Sequence, residues 1–221
     1  MCDKRCEGLG TEDLRLRPTD QHLVRLAGLV QLDKFYELVI HLGLPDVSWK
    51  NIVEQYRGYD LKVMNFLALC EWRKQKYKEM EMTSFKDLSD ALTDIHYDRH
   101  VICQVFREDV KVLGIDNIAL QQIPDDDVLK ELSEQVGSCA MQLGVELGLS
   151  MVNIEESLVK YSKDMFSRTF DILKKWKNSR KEVRPTIRIL MRAIQASDPR
   201  GLVFLRDKYA LFSYIIYKYK Q

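Results

Sequence analysis

Leu147-Gly-Leu-Ser-Met-Val-Asn-Ile-Glu155 decides how this chain is read, because Leu42-Gly-Leu-Pro-Asp-Val47 stands 105 residues before it in the same order. The same offset pairs Val53 with Leu158 and Tyr56 with Tyr161. The next loop is one residue shorter in the second half, Ser162-Lys163 against Arg57-Gly58-Tyr59. Beyond it an offset of 104 pairs Asp60 with Asp164, Phe66 with Phe170, Leu69 with Leu173 and Trp72 with Trp176. A further loop brings the offset to 102, pairing Leu88 with Leu190 and Ala91-Leu92 with Ala193-Ile194. The offset changes only in loops, and a period this long is a duplicated domain rather than a solenoid unit of about 20 to 50 residues.

Inside each copy the apolar spacing is that of a helix. Leu23, Leu26 and Val30 form one stripe; Phe35, Leu38 and Leu42 the next; then Val63, Phe66, Leu67 and Cys70; then Leu88, Leu92 and Ile95. Stop and start signals separate them: Gly43 with Pro45-Asp46, Gly58 with Asp60, Thr83-Ser84, and Asp98. Gly43 and Gly148 fall where a helix closes on a positive φ, and Ser150 and Asp46 stand where a side-chain oxygen caps a helix start. The expected fold is all-α, with six short helices in each half. Phe35, Leu42, Trp72 and Leu92 are expected in the first core, and Leu147, Ile154, Phe170, Leu173, Trp176 and Leu190 in the second. The boundaries read as a first bundle over 19–113, a short linker over 114–124, a second bundle over 125–208 and an apolar tail over 209–221. The linker, apolar at Ile115, Ile118 and Ile123, either docks on a neighbouring domain or swings free. The tail extends the last helix, covers a groove or docks a partner.

Composition removes several classes. The 221 residues are 46% hydrophobic and 30% charged, within the globular range. The formal charge is +1, so no whole-chain field attracts nucleic acid or lipid. No apolar stretch approaches the ~18 to 20 residues of a membrane-spanning helix. The first ten residues carry charge where a secretory signal carries an apolar segment. Cys2, Cys6, Cys70, Cys103 and Cys139 are odd in number and scattered, which suits the reducing cytosol. No phosphate-binding glycine loop, metalloprotease motif or nucleophile elbow is present, and Asp98 breaks the helix between His96 and His100, so neither catalysis nor a metal or other cofactor is expected.

The ordered series in the second half, Leu147-Gly-Leu-Ser-Met-Val-Asn-Ile-Glu155, Tyr161 and Leu173-Lys-Lys-Trp176-Lys-Asn, resembles the death domain family, and most of all the death domain of Fas-associated adaptors. The first half is similar through Phe35-x-x-Leu38, Leu42-Gly-Leu-Pro-Asp-Val47, Tyr56, Leu69-x-x-Trp72 and Leu88-x-x-Ala91-Leu92. The two resemblances cover about residues 19 to 208. Where the family has a Trp in its second helix, the halves have Phe35 and Ala140. The resemblance implies six-helix antiparallel bundles that bind other death-fold domains and do no chemistry. It implies as partners the death-domain proteins among receptor tails, adaptors and kinases, in apoptotic or innate-immune signalling of the NF-kappa-B type.

Charge is divided within the second half. From Asp125 to Glu156 eight acids face the single base Lys130, whereas from Lys160 to Arg192 eleven bases face three acids. Lys174, Lys175, Lys177, Arg184 and Arg188 are the expected basic contact surface, and Asp126, Asp127, Glu131 and Glu155 its acidic counterpart. The bland alternative is that such charges complement helix dipoles and solvate a face. Opposite faces on one body favour head-to-tail self-association. The first half mixes its charges, as in Glu71 to Glu79, which predicts a different partner and hence a cytosolic bridging adaptor. Two other readings stand beside it: a basic module that binds nucleic acid or another polyanion, opposed by the neighbouring acids and the lack of interleaved aromatics, and a decoy that blocks death-domain assembly.

Overall fold

Helical spacing is realised throughout the computed structural model, which describes residues 10–106, 115–179 and 183–219, with Thr11 and 211–219 described for their backbone alone. Every regular element among the described residues is an α-helix, and none is long and apolar enough to cross a membrane. The chain divides into two compact units, Met1–Arg107 and Glu108–Gln221. Cys2, Cys6, Arg180, Lys181 and the close of the chain at Lys220 and Gln221 lie outside the described residues, as does the expected first boundary at 113.

The first unit contains α1 (Thr11–Arg15), α2 (Asp20–Leu29), α3 (Leu32–His41), α4 (Asp46–Gln55), α5 (Leu61–Lys78), α6 (Phe85–Asp94) and α7 (His100–Val105). Its core is Leu23, Leu26, Phe35, Leu38, Phe66, Leu69, Trp72, Phe85, Leu88 and Leu92. Each such side chain contributes about 1.5 to 3 kcal/mol of transfer free energy against the entropy of ordering it. The buried face of α5 runs through Met64, Phe66, Ala68, Leu69 and Trp72, with Val63, Leu67 and Cys70 only half-buried at its edge.

The second unit contains α8 (Asn117–Leu120), α9 (Asp126–Gln135), α10 (Ala140–Glu146), α11 (Met151–Lys160), α12 (Met165–Lys177), α13 (Ile187–Ser197) and α14 (Pro199–Tyr219). Leu129, Leu132, Leu143, Leu147, Ile154, Leu173, Trp176, Leu190 and Leu205 fill its core. Phe170, expected there, is only half-buried, stacked on Phe166 at 6.1 Å, because Thr169 takes the inward position on α12.

The same local devices occur in both units. Leu44 N donates to Val39 O and Gly43 N to Ile40 O; Leu149 N donates to Gly144 O and Gly148 N to Val145 O, all at 2.8 to 2.9 Å. These paired bonds close α3 and α10 around Gly43 (φ 88°) and Gly148 (φ 72°). Ser84 and Thr186 cap α6 and α13, and Asp60 and Asp164 cap α5 and α12. Ser150 caps α11, but Asp46 does not cap α4: it is the first helical residue, where it accepts from Tyr36 Oη at 2.9 Å and pairs with Lys50 at 2.6 Å.

Of the two readings of the segment over 114–124, its described residues take the docked one rather than forming a free linker. Ile115, Ala119, Leu120 and Pro124 are buried, α8 packs on α13 and α14, and Ile187 N donates to Gln122 O at 2.9 Å. The segment therefore belongs to the second unit. Of the three isoleucines read as apolar there, Ile115 is the one buried, while Ile118 and Ile123 are exposed. The first unit has the same arrangement ahead of residue 19, where α1 packs on α6 and Phe85 N donates to Leu16 O at 3.0 Å. Among the described residues each unit thus shows seven helices rather than six, the extra one too short to leave a periodic stripe. The tail expected from 209 has no break at its start: α14 is continuous through Tyr219, and Tyr209 is buried.

Candidate interaction surfaces

Of the residues expected to form separate basic and acidic faces of the second unit, Lys174 and Lys177 are joined to Asp126. α9 runs antiparallel to α12, so the first turn of one meets the last turn of the other. There Asp126 binds both Lys174 and Lys177, the latter at 2.7 Å. Each charge also complements a helix dipole, acid at an N-terminus and base at a C-terminus. The two lysine bonds hold the Asp126 carboxyl below the usual carboxylate range. Glu131, one helical turn further along α9, binds Lys208 of α14.

Lys175 points to the other side of α12. Its Nζ lies 2.7 Å from Glu156, 3.3 Å from Asp171, 2.9 Å from Ser157 Oγ and 3.0 Å from the Asn153 carbonyl, pinning α11 to α12. Lysine beside serine is a catalytic pairing in other settings, but Ser157 is fully buried here and no substrate reaches its hydroxyl. Lys175 thus holds four groups of its own unit together. Arg188 donates from Nη2 to Asn117 Oδ1 at 2.6 Å, while Arg184 and Asp127 are exposed and Glu155 half-buried, outside these pairs. The division of charge along the sequence is thus neutralised in part, at Asp126, Glu131 and Lys175, while Arg184, Arg188, Asp127 and Glu155 are left out of these ion pairs.

Other polar contacts carried no legible signal in the sequence. Asp198, between α13 and α14, is buried; it accepts from Gly137 N at 2.9 Å and pairs with Arg200 at 2.7 Å. Arg200, then the backbone amides of Gly137 and of Arg200 itself, hold its carboxyl down at about 2 against the cost of burial. In the first unit Arg73 binds Asp20 and donates to the Pro18 carbonyl at 3.1 Å.

The two units differ on their outer faces. Leu32, Tyr36 and Ile40, spaced four apart on α3, are exposed, and the Tyr36 ring lies 5.9 Å from that of Trp49. At the same places in α10, Met141 and Val145 are buried. Lys86 and Asp90 on α6 correspond to Arg188 and Arg192 on α13.

No family model, no curated protein and no solved structure matches this chain.

Proposed function

We propose that the chain is a cytosolic adaptor without chemistry of its own, built from two death-fold bundles, α2–α7 and α9–α14, that bind other death-domain proteins. One observation carries the reading: the same order of six helices, with the same closing glycine turns and with matching caps on α5 and α12 and on α6 and α13, occurs twice beneath different outer faces. An exposed aromatic and aliphatic row on α3 marks the first unit, and an arginine row on α13 marks the second. Duplicated scaffolds with unlike surfaces suit a bridge between an upstream receptor or sensor and a downstream effector, in apoptotic or innate-immune signalling. Holding two preys on one chain raises the effective concentration of each beside the other.

The test is ternary capture. The full chain is immobilised and offered death domains from receptor tails, adaptors and kinases, singly and in pairs. Two preys retained together are expected, with Leu32→Asp/Ile40→Asp releasing one and Arg188→Glu/Arg192→Glu the other. Retention of no death-domain protein, alongside tight retention on heparin, would overturn the reading in favour of a polyanion-binding module.

A further inference from the structure

α14 outruns the helix it packs on. Near its start the Cβ position of Gly201 lies against Leu132 and Val136 at the far end of α9, and further along Lys208 binds Glu131. α14 therefore runs back along α9 toward the first turn of that helix. Glu131 is five residues from Asp126, where α9 begins, so at an equal rise per residue α14 passes the end of its partner near residue 213. It continues as helix to Tyr219. Its buried positions Gly201, Leu205 and Tyr209 step by four, and the next step falls on Ser213, where no large apolar side chain continues the series. Up to Lys208 the helix also carries charge, at Arg200, Arg206, Asp207 and Lys208. Beyond Tyr209 the charge stops: Leu211, Phe212, Tyr214, Ile215, Ile216 and Tyr217 fall at helical spacing round the whole circumference and leave no polar stripe.

A helix apolar on every side belongs in a protein core or in lipid, and composition separates the two. From Lys208 to Gln221 the sequence has three lysines and no acid, and its apolar run mixes Phe and Tyr with Ile before Lys218 and Lys220. Tyrosine and lysine suit a membrane interface, where ring and stem lie against acyl chains while hydroxyl and ammonium reach the head groups. Anionic lipid supplies the charge that answers the lysines; a second copy of the segment, having no acid, does not. From Leu211 to Tyr219 the helix is about 14 Å long, half of the ~30 Å hydrocarbon core, which is too short to cross a bilayer and long enough to lie in its surface. We propose that this part of α14 lies in the head-group interface of an anionic lipid membrane and holds the second unit on its surface. The attraction is local, so a formal charge of +1 on the whole chain does not oppose it. The placement concerns where the chain sits rather than which proteins it binds, and it does not rest on the adaptor reading.

The test is co-sedimentation of the full chain with sucrose-loaded vesicles, made of phosphatidylcholine alone or mixed with phosphatidylserine. Wild type is expected in the pellet with the mixed vesicles, less so as salt screens the lysines, and only weakly with phosphatidylcholine. Lys218→Gln/Lys220→Gln should weaken binding to the mixed vesicles about fivefold for each lysine and remove most of the preference for them. Phe212→Gln/Ile215→Gln/Ile216→Gln should abolish binding to both while leaving the melting curve unchanged. Phe212→Trp adds an independent reading: its emission should shift to the blue on the mixed vesicles and be quenched by brominated acyl chains. A wild-type chain that stays in the supernatant with both vesicles, whether monomeric or paired through this segment, would overturn the proposal. So would a triple variant that melts lower, since the segment would then be part of the unit's own core, or a Phe212→Trp chain that brominated lipid leaves unquenched. Vesicle binding without capture of any death-domain prey would remove the adaptor reading and leave this inference standing; capture without vesicle binding would do the reverse.

Discussion

Asp126 Oδ1 and Lys177 Nζ lie 2.7 Å apart, joining the first residue of α9 to the last of α12. Asp20, the first residue of α2, is bound in the same way by Arg73, which follows Trp72 as Lys177 follows Trp176. The fold thus clasps the same two helices in both units with an acid at one end and a base at the other. Residues that look like opposing surfaces in a charge count are here each other's partners. Reversing Lys174→Glu and Lys177→Glu should therefore lower the melting temperature, read by circular dichroism, whereas Arg184→Glu/Arg192→Glu, at two exposed positions, should leave it nearly unchanged. Equal melting temperatures for the two pairs would mean that the clasp is idle.

At Gly201 α14 lies close against its neighbours. A Cβ there would lie 2.6 Å from Val136 Cγ1, 3.0 Å from Ile194 Cγ2 and 3.2 Å from Leu132 Cδ1. Gly201→Ala gains up to about 1 kcal/mol of helix propensity, but overpacking a tight site costs about 1 to 3 kcal/mol, so net destabilisation is expected. Gly28, exposed near the end of α2 with open space around its Cβ position, gives the opposite sign. Gly28→Ala should stabilise by up to about 1 kcal/mol, and urea midpoints of the two variants should move in opposite directions.

These glycines show what was legible in the sequence and what was not. Gly43 and Gly148 announce themselves, because a closing glycine between two helical stripes is a local signal. Gly201 does not, because its meaning comes from Val136, sixty-five residues away in the chain. The repeat was legible from Leu42 to Ile194, where large apolar residues hold a common register. It continues unread at both ends: Leu23, Leu26 and Val30 match Leu129, Leu132 and Val136, and Asp98 and Val105 match Asp198 and Leu205. The α8 segment was read as linker because four helical residues cannot show a period. Charge was the least legible property. Composition along the chain records where acids and bases are, but only the antiparallel approach of α9 and α12 decides that Asp126 faces Lys177.

Asp198 makes the stability of the second unit depend on acid. Its folded pKa, about 2, lies below the ordinary 3.8 because Arg200 and two backbone amides favour the carboxylate. A depressed folded pKa contributes stability that is fully present above the unfolded value and is lost as pH falls through the folded one, between about 4 and 2. The shift corresponds to about 1 to 2 kcal/mol once the exposure of Arg200 is allowed for. Asp198→Asn should be less stable at neutral pH and should lose less on acidification across that window. Urea denaturation at a series of pH values measures both, and parallel curves for the two proteins would show that Asp198 is not the group responsible.

Lys175 separates a contact residue from a structural one. A surface lysine engaged only with a partner could become Glu with little change in folding, since such substitutions usually stay within about half a kcal/mol. Here the ammonium is the shared donor for Ser157 Oγ, Asn153 O, Glu156 and Asp171. Lys175→Met keeps the stem but leaves the buried Ser157 hydroxyl and the Asp171 carboxylate without their cation, a loss of about 1 to 3 kcal/mol. Lys175→Glu adds a third carboxylate to Glu156 and Asp171 and should be worse. Ser157→Ala combined with Lys175→Met should cost less than the sum of the two single changes, because both act on the same bonds. A double-mutant cycle by chemical denaturation gives that coupling directly, and strict additivity would mean that the lysine and the serine do not act together.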